Sequence, residues 1–250
     1  MINKSDFKLL IVKTEKDVFK EAAKIVCNEI KKKPNLVFGL ATGKTMKPFY
    51  KELIYHYKKH HFDFSRVKTF NLDEYYPISG KSRNSFRYFM EKNFFRHVNI
   101  KEENIHFLSG NTKDYEKECK NYERMIKEEG GIDLQVLGIG VNGHIGFNEP
   151  NSSFQSLTRM VKLSKSTIKQ NSKYFFNENF PKYALTMGIK TIMNSKKIIL
   201  IAVGKKKSVA IKKTLSGKIS RKIPASILRR HKNVEFIISS DVASDLKLSI

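Results

Sequence analysis

Along the chain, short runs of apolar residues alternate with longer stretches in which apolar positions recur every three or four residues. "FKLLIV" at 7 to 12 reads as a strand. Thr14 then stands where a helix cap belongs, ahead of an apolar stripe made by Val18, Ala22, Ile25, Val26 and Ile30. "NLVFGL" predicts a second strand, the turn "ATGKT" follows, and helix formers fill 45 to 59. "VKTFNL" is another short apolar run, and the same order of strand, polar loop and helix returns at "LQVLGIG" and at "KIILIAVG" with a helix over 205 to 215. "VEFIIS" closes the series. Several of these strands are apolar on both faces, as strands are when helices cover both sides of a parallel sheet. The pattern predicts an α/β fold: one doubly wound, mostly parallel, Rossmann-like sheet with helices on both faces, in a single domain spanning residues 1–250.

Such a sheet binds ligands beyond the carboxyl ends of its strands, close to the point where strand order reverses. Four predicted strand ends carry polar chemistry: Thr42-Gly43-Lys44-Thr45, Asp73-Glu74, the loop from Gly138 to Glu149, and Gly204 to Lys207. "GLATGKT" is not a nucleotide-binding loop, because three residues separate Gly39 from Gly43 where that motif needs four. A glycine turn opening a helix still offers backbone N–H groups and the positive end of a helix dipole, which suits a phosphate as well as it suits a plain connection. Asp73 and Glu74 are neighbours on a strand, so one of them is expected to face the cleft. An Asp in a partly desolvated cleft can act as a base toward a carbon-bound proton. In "GIGVNGHIGFNEP", His144 precedes Glu149 by five positions, and a carboxylate beside an imidazole makes a tunable acid/base unit. Lys205, Lys206 and Lys207 begin a helix, where cations oppose the dipole unless an anion joins them.

Composition alters this picture little. A formal charge of +24 raises the question of nucleic acid, but the 48 basic residues are spread over every segment, with no basic arm or zinc-finger spacing. The expectation is a lysine-rich solvated surface that attracts small anions. Cys27 and Cys119 have neither disulfide nor metal spacing, and the adjacent His60 and His61 have no second pair to complete a metal site. No signal peptide or apolar run of membrane-spanning length occurs, so a cytoplasmic location and no membrane partner are expected.

Six segments, in order, carry a resemblance over nearly the whole chain: "GLATGKTMKPFYKEL", "FNLDEYYPIS" with "NSFRYFM", "LGIGVNGHIGFNEPNSSF", "LTRMVKLSKSTIKQNSKYF", "KYALTMGIKTIMNSKKIILIAVGKKKSVA" and "PASILRRH". Together they resemble the glucosamine-6-phosphate deaminase family. The resemblance implies conversion of glucosamine 6-phosphate and water to fructose 6-phosphate and ammonia, with no metal or organic cofactor. It implies that Asp73 is the base at C2, and that His144 opens the sugar ring while Glu149 orients it. It places phosphate on Thr42, Gly43, Lys44, Thr45, Lys173 and Lys207, and a lid at about 158–186 that includes Arg159. Three positions depart from the common pattern: Asn142 where Asp is frequent, Lys173 where Arg is common, and Lys44 where a small residue is usual. The lack of a C-terminal extension leaves regulation and the choice between monomer and homo-oligomer open. The related 6-phosphogluconolactonases, with a different continuation after the shared glycine-His core, are the alternative reading; a non-catalytic phospho-sugar-binding protein is another.

Overall fold

A computed structural model of the chain describes residues 7–164, 167–169, 172, 175 and 180–246. Seven parallel strands form the central sheet: β1 (Lys8–Val12), β2 (Val37–Leu40), β3 (Lys68–Asn71), β5 (Ile105–His106), β6 (Leu134–Leu137), β9 (Lys197–Ala202) and β10 (Val234–Ser239). Their order is β1-β10-β9-β6-β2-β3-β5, all neighbours parallel. The doubly wound expectation holds, and the switch in strand order falls between β2 and β6. Every residue of β2 and of β6 is buried, as central strands covered on both faces must be.

The helices start where the sequence offers caps. α1 (Glu15–Lys32) opens on a capping box in which the Thr14 hydroxyl accepts from Asp17 N–H and the Asp17 carboxylate accepts from Thr14 N–H. Its buried face carries Val18, Ala22, Val26 and Ile30, four of the five predicted stripe positions. α2 runs Met46–His60 and ends on His61 in the left-handed region. α4 (Tyr115–Glu128) is capped by Asp114, whose carboxylate accepts from Lys117 N–H. The helix expected over 205–215 is divided: Lys205–Lys207 form a 3₁₀ turn and the α-helix proper is Ser208–Ser216.

A second sheet was not anticipated. β4 (Asp73–Tyr76), β8 (Tyr183–Thr186) and β7 (Arg159–Lys162) pair antiparallel in the order β4-β8-β7. Only Leu72 separates β3 from β4. Its N–H donates to Leu40 O at 2.9 Å and its carbonyl accepts Met187 N–H at 2.8 Å, which joins the two sheets. The segment 158–186 therefore begins and ends in strands of this small sheet. Against it packs an aromatic cluster: the Tyr75 ring centroid is 4.5 Å from Phe86, 5.7 Å from Phe147, and 5.3 Å from both Phe175 and Phe180.

Candidate active site

Four adjacent strands, β9, β6, β2 and β3, deliver the four polar strand ends to one edge of the sheet. A cavity of about 480 Å³ lies there, lined by Thr42, Gly43, Lys44, Thr45, Asp73, His144 and Lys207 among others. Seven of the ten site residues expected from sequence thus share one wall. Asn142 and Glu149 stand behind His144. Lys173 falls outside the described residues.

Gly43 adopts φ +110°, a conformation that side chains disfavour, and this turns the chain sharply from β2 into α2. Met46 N–H bonds back to Gly43 O at 3.0 Å, and Thr45, the N-cap, makes no side-chain capping bond. The amino end of a fifteen-residue helix therefore points into the cavity. Below it the Tyr50 hydroxyl donates to Ala41 O at 2.5 Å, which pins the turn to the helix.

Asp73 and Glu74 part as neighbours on a strand must. Asp73 faces the cavity. Glu74 turns away, its carboxylate accepting from Tyr75 N–H (2.9 Å), Phe86 N–H (2.8 Å) and Arg87 N–H (2.9 Å) at the start of α3 (Phe86–Asn93). Burial, reinforced by the Glu74 charge, pushes the Asp73 carboxyl up to about 8. Burial also raises Glu74, to about 7, although its three backbone donors pull the other way. Asp73 is thus a carboxyl with high proton affinity in a cleft whose other charged lining groups are Lys44, Lys47, Arg83 and Lys207.

The His144 loop is built around close contact. A Cβ on Gly140 would lie 2.2 Å from the His144 ring, so only glycine lets the imidazole lie against the backbone there. Gly140 N–H donates to His144 O at 2.9 Å and closes the turn. Asn142 bridges the pair: its amide donates to Glu149 Oε2 at 2.8 Å, and its Oδ1 accepts His144 N–H at 3.2 Å. His144 Nδ1 stands 3.6 Å from the same Oε2. Burial would raise the Glu149 carboxyl, but the imidazole, the Thr167 hydroxyl and the Asn142 amide together bring it down to about 2. Asn148 locks the rest of the loop. Fully buried, it donates to Ile145 O (3.0 Å) and Met187 O (2.8 Å) and accepts from Arg159 at 3.0 Å.

Lys207 is half-buried on the cavity wall, and burial lowers its pKa, so an anion beside it would relieve a desolvated charge. Lys205 and Lys206 are exposed. Among the described residues no group of three or more His, Cys, Asp or Glu could hold a metal, and no helix is long and apolar enough to cross a membrane.

Several lining residues gave no signal of their own in the sequence. Arg83, Asn84 and Ser85 reach the cavity from the loop before α3, which follows no central strand, and Thr167 reaches it from beyond β7. The segment "NSFRYFM" was notable only as part of the resemblance.

Comparison with known proteins agrees with this fold. Residues 13–237 match the family model described as glucosamine-6-phosphate isomerases/6-phosphogluconolactonase. A glucosamine-6-phosphate deaminase from Clostridium novyi is 52% identical over 240 residues, covering 96% of this chain and 100% of the relative. The solved structure of a monomeric glucosamine-6-phosphate deaminase superposes with a TM-score of 0.93 at 42% identity, covering 95% of this chain and 99% of that one. A 6-phosphogluconolactonase from Thermotoga maritima superposes at 0.74 with 20% identity, covering 93% and 99% of the two chains, which is a likeness of fold.

Proposed function

Because the chain belongs to the glucosamine-6-phosphate isomerase/6-phosphogluconolactonase family, we propose that it is a glucosamine-6-phosphate deaminase. In this reading it takes glucosamine 6-phosphate and water to fructose 6-phosphate and ammonia. The observation that carries the choice is the presence in one cavity of two separate proton handlers, Asp73 and the His144–Glu149 pair, beside a helix N-terminus suited to phosphate. The high identity to the deaminase relatives supports the same choice over the lactonase.

Each residue then has a task. Phosphate sits on the Thr42–Thr45 turn, with Lys207 as its cation and Lys44 beside it; Lys173 is a further expected contact. His144 moves a proton between the ring oxygen and the C1 hydroxyl, and the ionised Glu149, held by Asn142, stabilises the positive charge that builds on the imidazole on the way. The open aldose has an acidic C2 proton. Asp73 removes it to give the enolamine and returns it to C1, leaving an imine at C2. Water adds there and ammonia departs. Nothing in the sequence calls for a metal or an organic cofactor. A cytoplasmic location, a hydrolase-type classification by net reaction, and a lid within residues 158–186 complete the reading.

The test is direct. The purified protein is given glucosamine 6-phosphate and, separately, 6-phosphogluconolactone. Ammonium released with stoichiometric fructose 6-phosphate is the expected result. Lactone hydrolysis without ammonium would select the lactonase, and binding without turnover of either would select a sensor.

A further inference from the structure

Glu149 is held from two sides by different parts of the chain. On its own loop, Asn142 occupies Oε2 at 2.8 Å. From beyond β7, the Thr167 hydroxyl donates to Oε1 at 2.5 Å. Ser164 Oγ lies 3.0 Å from the Thr167 oxygen and 3.2 Å from Oε1, and it accepts Thr167 N–H at 3.1 Å. Thr167 is itself buried and lines the cavity, and its neighbour Ile168 packs on the aromatic cluster around Tyr75 and Phe147.

A carboxylate turns about its last carbon–carbon bond unless both oxygens are engaged. With only Asn142 and the longer Ser164 contact at 3.2 Å, the carboxylate would be held less firmly, and the oxygen 3.6 Å from His144 Nδ1 would not be fixed. A charged acceptor gains more from a hydroxyl donor than a neutral one does, so this contact also favours the ionised form. We propose that Thr167, propped by Ser164, is a positioning residue that fixes which Glu149 oxygen faces His144, tying proton transfer at the ring to the seating of the segment after β7. The proposal rests on the deaminase reading and extends it to residues outside the strand-end loops.

The experiment compares Thr167→Val, which keeps shape and removes the hydroxyl, with Thr167→Ser, which restores it. Ammonium release from glucosamine 6-phosphate gives kcat and KM. Binding of the open-chain amine 2-amino-2-deoxyglucitol 6-phosphate reports the part of the site that needs no ring opening. For T167V, kcat should fall about ten- to a hundredfold, the range of a hydrogen bond to a charged group, while KM and open-chain affinity stay within about threefold. T167S should recover kcat to within about threefold of the unaltered protein. An unchanged kcat in T167V overturns the proposal; so does a matching loss of open-chain affinity, or a T167S enzyme as slow as T167V. Should T167V fail to fold, Ser164→Ala is the second variant, with kcat expected to fall about three- to tenfold and an unchanged kcat counting against the proposal. If the unaltered protein releases no ammonium, the functional reading fails first and this proposal with it.

Discussion

Asp73 illustrates how much a single position asks of the fold. Burial and the neighbouring Glu74 raise its carboxyl to about 8, so below that pH Asp73 carries its proton and cannot serve as the base proposed for it. The rate of ammonium release at low substrate should accordingly climb with pH and level off near 8, as a pH series of kcat/KM would show. Stability should move in the opposite direction. Between the ordinary carboxylate pKa and about 8 the folded protein keeps a proton that the unfolded chain has given up, so raising pH through that window weakens the fold. Asp73→Asn removes the ionisation: kcat should drop roughly a hundred- to ten-thousandfold while Tm at pH 9 rises by roughly 2–6 °C. Calorimetry beside the kinetic assay checks both halves. Lys207→Ala should raise KM about tenfold or more with little change in kcat, whereas exposed Lys206→Ala should alter neither by more than about twofold. That Asp73 and His144 reach the cavity was legible because each follows an apolar strand, whereas Lys207 stood apart from Lys205 and Lys206 only through the resemblance. Thr167 was not, because a threonine beyond an edge strand looks like any other until the fold sets it against a carboxylate.

Among the elements, α3 depends on a residue outside itself. Ser85 caps it by accepting Tyr88 N–H at 3.0 Å, and Glu74 on β4 accepts from the next two backbone donors, Phe86 and Arg87. Glu74→Ala would leave three backbone donors at this junction without their acceptor, a cost of about 3 kcal/mol or more. Denaturant melts should show that loss, with KM rising too because Arg83 to Phe86 lose their anchor on the wall. The helices and central strands could be read from periodicity, since α1 shows its stripe and β9 its continuous apolar run from Ile198 to Ala202. The small sheet could not. Its strands β4, β7 and β8 are four residues each, and "DEYY" and "RMVK" show no apolar alternation that would separate them from loop. What makes them strands is their pairing, β4 with β8 across more than a hundred residues of sequence and β7 with β8 across more than twenty, a tertiary cause that no local pattern carries.

Over the whole molecule, the charge of +24 and the cationic lining of the cavity act together on an anionic substrate. Electrostatic attraction of this kind is screened by salt, so kcat/KM should decrease roughly three- to tenfold as added salt rises from about 10 to about 300 mM, with kcat nearly constant. A flat response would mean that the lysine-rich surface plays no part in capture. Overall topology was legible in outline, because alternating strands and helices leave few arrangements of a parallel sheet. The joint at Leu72 was not, and it bears on which sugars could ever be accommodated. Fastened to Leu40 on one side and Met187 on the other, that residue makes the Asp73 edge a fixed jamb. Room for a bulkier substrate would have to be carved from lining that this joint does not hold, such as Arg83 and Phe89 on a loop and a short helix, so efforts to broaden specificity belong there.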